Sequence, residues 1–202
     1  EAAGGRNLPP EVVQQLVART DGVPLFVEEL THMVLERGTP DAIPITLHEL
    51  LLARLDLLPH RQKSLAQCCA AIGRSFSHAL LATLTRRSSA ALRRDLEGLV
   101  ETGLLQPLHE RAAPGYRFRH ALIQDAAWQS LPRSARRKLH HRITDALLEQ
   151  SPEVRQTQPE LLAHHYTEAG EYEPAIHYWF QAGQRASLRS ANQEAVSHFQ
   201  QA

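Results

Sequence analysis

The stretch Tyr116–Trp128 reads YRFRHALIQDAAW. Its first half alternates, with apolar Tyr116 and Phe118 between charged Arg117 and Arg119. That period of two marks a strand with one buried face. A helical pattern takes over without a break, and His120 stands at the joint. Just upstream, LLQPLH (104–109) and GYRFRH (115–120) flank ERAAP (110–114), which predicts a short hairpin.

The elements before this hairpin decide what it belongs to. Thr46 is a good N-cap and Glu49 lies three positions on, as in a capping box, so TLHELLLARLDLLP (46–59) predicts a helix that stops at Pro59. HRQKSLAQCCAAIG (60–73), SHALLATL (77–84) and SSAALRRDLEGLVET (88–102) predict three more, the last ended by Gly103 as a C′ glycine. A run of helices and then a two-stranded wing is the order of a winged-helix domain.

On the N-terminal side, PPEVVQQLVART (9–20) predicts a helix with Pro at its start, DGVP breaks the chain, and Leu25 to Leu35 predicts a second helix, apolar at 26, 27, 30, 33 and 34. GTPDAIPIT (38–46) is a linker. On the C-terminal side, RSARRKLHHRITDALLEQ (133–150) is amphipathic through Leu139, Ile143, Ala146 and Leu147, and SPEVRQTQ (151–158) is a loop. PELLAHHYTEAGEYEPAIHYWFQAGQRA (159–186) then fits the tetratricopeptide pattern at Leu162, Ala163, Tyr166, Gly170, Ala175, Trp179 and Ala182. Small residues let two antiparallel helices approach, and Tyr and Trp fill the space between them. Ala195, Phe199 and Ala202 repeat the second-helix pattern after only one further helix, well short of a full tetratricopeptide period, so the array is irregular. A few such repeats cannot bury their own faces, and the array is expected to continue beyond residue 202.

Composition bounds the function. Apolar residues make up 43% of the 202 and charged residues 22%, ordinary for a globular chain with a core. Lys+Arg and Asp+Glu are equal at 22 each, so no global field draws nucleic acid or anionic lipid. The middle, Thr46 to Arg133, holds 12 Lys/Arg against 7 Asp/Glu, so it is mildly basic between acidic flanks. The two cysteines, Cys68 and Cys69, are adjacent; on a helix they point about 100° apart, cannot form an ordinary disulfide, and read as small core residues in a reducing compartment. No apolar run approaches the ~18 residues of a membrane span, and there is no signal peptide. The chain reads as an excised part of a longer cytoplasmic protein.

Catalytic chemistry is not legible. No Gly-x-x-x-x-Gly-Lys-Ser/Thr occurs and no glycine precedes a lysine, so the phosphate cradle of an ATPase is absent and the fragment is not expected to hydrolyse ATP alone. Ser75, Ser77 and His78 lack an orienting acid and an oxyanion element. The 12 histidines include neither HExxH nor a CxxC partner, and the pairs His140–His141 and His164–His165 diverge on their helices, so no metal site is expected; His164 and His165 read as flanking Tyr166 in the repeat interface. DNA binding is the rival for the winged helix. Arg86, Arg87, Arg93 and Arg94 cluster near the start of its third helix, but Glu97 and Glu101 turn the helix acidic after Asp95. The pattern favours a structural or regulatory winged helix. ARRK (135–138) reads as a solvated helix start or a contact with an acidic neighbour.

Four stretches together, RTDGVPLFVEEL, ITLHELLLARLDLLP, FRHALIQDAAWQSL and LLAHHYTEAGEYEPAIHYW, resemble the large bacterial signalling ATPases of the STAND class, of the kind fused to adenylate/guanylate cyclase, kinase or LuxR-type regulators. The resemblance spans essentially the whole chain. It implies a mainly α architecture with one small β-hairpin: residues 1–40 a helical lid of a nucleotide-binding domain, 41–133 a winged helix, and 134–202 the first TPR-like antiparallel repeats. It further implies ATP or ADP in the full-length parent, with Mg bound by an upstream nucleotide-binding domain in cis. A protein or small-molecule signal would reach the repeats, and neither nucleic acid nor membrane would be a partner.

By the same resemblance Gly22-Val23-Pro24 corresponds to the lid's GxP signature, placing Pro24 at the adenine; from the residues alone it is a helix–helix turn, Gly22 permitting an unusual φ and Pro24 stiffening the entry to the next helix. Arg119-His120-Ala121 resembles the Met-His-Asp triplet whose histidine meets the β-phosphate of ADP, with Arg in place of Met and Ala in place of Asp. A histidine at a helix N-terminus suits an anion, because free N–H groups and the helix dipole already favour negative charge; it equally suits a cap packed against the wing. The alternatives left open are a DNA-binding regulator and a TPR-like interaction scaffold.

Overall fold

The computed structural model describes residues 20, 23–37, 46–108 and 114–202. The helix read over 9–20, apart from Thr20, together with Gly22, most of the 38–46 linker and the hairpin tip, lies outside the described residues. The chain forms two compact units, divided between Lys63 and Ser64.

In the first unit α1 (Pro24–Arg37) packs on α2 (Leu47–Leu57). Thr46 caps α2 as its sequence predicts: the Thr46 hydroxyl accepts from the Glu49 N–H and the Glu49 carboxylate accepts from the Thr46 N–H, both at 3.2 Å. Phe26, Leu30, Met33 and Val34 of α1 close on Leu50 of α2, with Leu47 at the edge. This apolar seam also holds a pair of charges without a sequence signal. Glu29 of α1 and Arg54 of α2, both nearly inaccessible, form an ion pair.

The division falls within α3 (His60–Ile72), and the second unit runs on through β1 (Ser75–Ser77), α4 (His78–Thr85), α5 (Ser89–Glu101), β2 (Leu105–Leu108) and β3 (Gly115–Phe118). The expected hairpin is present, with Gln106 opposite Arg117. A third strand, β1, adds to it along the other edge of β3, giving the antiparallel order β1-β3-β2. Helix, strand, two helices and two strands make a complete winged-helix order. Phe76 and Phe118 meet edge to face beneath the sheet at 6.1 Å, and Leu92, Leu96 and Leu99 of α5 are fully buried.

Then come α6 (Ala121–Gln129), α7 (Arg133–Gln150), the short α8 (Val154–Thr157), α9 (Pro159–Ala169), α10 (Tyr172–Leu188) and α11 (Asn192–Gln201). The long helix α7 fastens the wing-bearing part to the repeats. On one side Leu139, Ile143 and Ala146 pack with Ala71, Leu80 and Leu84, and Arg142 donates to the Leu84 carbonyl at 2.6 Å. On another it packs on α9.

Helix α9 ends at Gly170, whose φ of +80° is the left-handed turn that glycine adopts without strain. Helices α9 and α10 then pair as the pattern requires: Leu162, Ala163, Ala175 and Ala182 are buried, and the Trp179 indole donates to the Thr167 hydroxyl at 3.0 Å. The short spacing of the repeated pattern has a structural reason. Counted from Ala163, the small and aromatic positions fall at Ala175, Trp179 and Ala182; the same intervals counted from Gly183 give Ala195, Phe199 and Ala202. So α10 is the second helix of one pair and the first helix of the next. Gly183 sits against the Phe199 ring so closely that a Cβ there would overlap it.

Candidate functional site

Strand β3 ends at Phe118, which is fully buried and anchors the chain before it turns into α6. Arg119, exposed, donates its backbone N–H to the Leu104 carbonyl at 3.1 Å and so ties the joint to the start of β2. His120 is next, as the N-cap residue of α6, in extended conformation at φ −133°, ψ 144°. Its carbonyl accepts from the Ile123 N–H at 3.2 Å. Arg119 and His120 therefore stand together where the sequence places them, at the strand-to-helix joint. His120 thus holds the cap position of the helix through its backbone, and its side chain makes no cap hydrogen bond.

Pro24 is exposed and begins α1 in the first unit; Gly22 lies outside the described residues. The chemistry offered at the β3–α6 joint is cationic and donor-rich: a guanidinium, an imidazole and the first-turn N–H groups of a helix.

Further along α6, Gln124, Asp125 and Trp128 line a cavity of about 220 Å³ with Ala70–Gly73 of α3's end, His140 of α7, and His164 and Glu168 of α9. Behind it lies an arrangement the sequence did not announce. The neighbouring histidines do diverge, as expected, but each pair sends one ring inward to meet the other. His140 and His165 are both buried, with their Nδ1 atoms 2.7 Å apart. His165 therefore does not flank Tyr166 in the repeat interface, as its place in the pattern suggests; it faces α7. Neither outer nitrogen Nε2 has a hydrogen-bond partner. The rings of Trp128 and His164 complete the cluster, at 5.0 and 5.9 Å from His140.

Burial, and then the neighbouring imidazoles, hold both rings neutral: His140 is pulled down to about 4 and His165 to about 3. Among the described residues, no group of three or more His, Cys, Asp or Glu could hold a metal ion. The signal that could have found the pair is helical spacing: His140 and Ile143 are three apart, as are Leu162 and His165, so both histidines share an inward face.

The arginines of the rival DNA surface are partly committed within the fold. Arg87 pairs with Asp95 at 2.9 Å and Arg93 with Glu97 at 3.7 Å. Arg86 lies before α5, in a left-handed turn that ends α4. Cys69 is fully buried in the core and Cys68 is partly buried at its edge; burial raises both thiols. No helix among the described residues is long and apolar enough to cross a membrane.

Comparison with known proteins gives this geometry a context. The fold is similar, with a TM-score of 0.51, to a signal transduction ATPase with numerous domains (STAND) carrying a tetratricopeptide repeat sensor, from Pyrococcus horikoshii. The likeness covers 95% of this chain and 32% of that one, at 14% sequence identity, and it is a likeness of fold. An uncharacterized protein of Rhizobium meliloti (strain 1021) is 29% identical over 199 residues. The alignment takes in 93% of this chain and 19% of that relative, so the chain spans about a fifth of the relative's length. No family model matches.

Proposed function

We propose that the chain is the regulatory segment of a larger cytoplasmic signalling ATPase of the STAND class. Residues 1–40 act as the lid of a nucleotide-binding domain, 41–133 as the winged helix and 134–202 as the first repeats of a sensor. The observation that carries this reading is the fold likeness to a STAND protein along 95% of the chain. Helical repeats preceded by a winged-helix order are a combination that a lone transcription factor or a lone repeat protein does not need.

In this reading the upstream domain holds ATP or ADP together with Mg. Pro24 and Gly22 border the base, and His120 with Arg119 meets the phosphates from the β3–α6 joint. A protein or small-molecule signal received at the repeats shifts the equilibrium between closed and open states by preferring one of them. The segment itself performs no catalysis, and output such as cyclic-nucleotide synthesis belongs to other parts of the protein.

The test is His120→Ala in the full-length protein, read as ADP dissociation and basal output. Faster ADP loss or constitutive output is expected; unchanged values for both reject the role of His120. A second reading, a repeat scaffold for a protein partner, is favoured by the exposed apolar side chains Ile176, Phe180, Val196 and Phe199 on α10 and α11. It is distinguished by partner binding to the full-length protein that ADP and ATP leave unaltered.

A further inference from the structure

We propose that His140 and His165, with His164 at their rim, form a proton-operated latch on the seam between α7 and α9, closed while both inner rings are neutral and released as they take up protons. This goes beyond the nucleotide reading and does not depend on it. The seam is where the wing-bearing part of the second unit is fastened to the repeats.

The geometry dictates where protons can sit. With Nδ1 facing Nδ1 at 2.7 Å, one ring donates and the other accepts. The donor carries its hydrogen on Nδ1 and a lone pair on Nε2; the acceptor carries its hydrogen on Nε2. A first added proton goes to the donor ring's Nε2, which is buried without a partner. It creates a desolvated cation but keeps the Nδ1–H···Nδ1 bond. A second proton must go to the acceptor's Nδ1. It destroys the bond, sets two N–H groups against each other and places two charges in contact. The rings must then part, and the seam opens with them.

The surroundings do not relieve those charges in the closed form. Helix α9 brings His164 and, one turn on, Glu168; α6 brings the Trp128 ring edge and Asp125; the end of α3 brings uncharged Ala70–Gly73. Asp125 and Glu168 are exposed, at the rim of the cavity. On α7 itself, Arg136 lies over Trp128, and His141 is turned outward to Glu171 and Asp145. Helix α4 meets α7 through Leu80 and Leu84, α8 buries Val154, and α10 meets α9 through Tyr178 on Tyr166. Parting the seam hydrates both imidazoles and brings the rim carboxylates within reach.

The experiment tracks hydrogen-exchange protection in the 202-residue chain from pH 7.5 to pH 5, comparing amides of α9 (Leu162 to Tyr166) with those of α5 (Leu96 to Leu99), while the imidazole nitrogens are monitored by 15N NMR. Each ring that reaches water multiplies the opening constant of α9 by roughly thirty between pH 7.5 and pH 5, so that constant is expected to rise about thirtyfold if one ring is exposed and about a thousandfold if both are, while α5 stays level. The double variant His140→Leu/His165→Leu is expected to flatten the α9 response. Constant α9 protection in the native chain, or loss of α9 and α5 together as in general acid unfolding, would overturn the latch without any variant. An unchanged pH response in a folded double variant would also overturn it, and none of these outcomes bears on the nucleotide reading.

Discussion

At the scale of single residues, the chain places charge where it is expensive. Glu29 and Arg54 sit between two apolar helices, 2% and 6% exposed. Neither ion is at home without the other, because breaking such a pair strands a buried charge. Arg54→Ala is expected to destabilise the first unit by about 3–5 kcal/mol, whereas the joint replacement Glu29→Leu/Arg54→Leu should cost far less or nothing, measured by denaturant unfolding. A single variant no worse than the double would show that the pair is solvated in the folded protein. His140 and His165 obey a different rule: they are tolerated inside because they stay neutral. Their folded-state values, about 4 and about 3, lie below the ordinary 6.5, so the unfolded chain binds more protons in between. Their contribution is present in full above pH 6.5 and is lost as pH falls through that window.

At the scale of elements, close approach decides what can be changed. Gly183 lets α11 lie against α10 with the Phe199 ring over its backbone. Gly183→Ala should therefore cost about 1–3 kcal/mol by overpacking, despite alanine's better helix propensity, and a melting experiment checks it. A gain in stability would mean that Phe199 swings away freely. Most elements were legible because each carries its own local cause: the Thr46–Glu49 box, the left-handed glycines Gly103 and Gly170, and the apolar period of α5. Strand β1 was not. The segment Ser75–Ser77 is too short to show alternation, and it becomes a strand only because β3, distant in the chain, offers it an edge. The His140–His165 contact was hidden for the same reason: each histidine reads as inward by spacing, but nothing local says that two inward faces meet. The β3–α6 joint was fully legible, since strand period and helix period change at His120 itself.

At the scale of the whole molecule, charge argues against nucleic acid. The net charge is zero, and two of the four arginines of the candidate reading surface, Arg87 and Arg93, are paired with carboxylates of α5. No retardation of duplex DNA is expected in a shift assay with the 202-residue chain at low salt; a retarded band that fades as salt rises would restore the transcription-factor reading. The domain bounds at 40 and 133 remain part of the proposal, while α7 physically fuses the wing-bearing part and the repeats into one unit. The double service of α10 also limits how such an array can evolve. Copying or excising one ordinary tetratricopeptide block would cut through a helix and leave a stump with half its neighbours. Only a step equal to the separation of Ala163 from Gly183 returns the chain to equivalent seats, so lengthening this array means inserting one helix at a time, each inheriting a partner on both flanks.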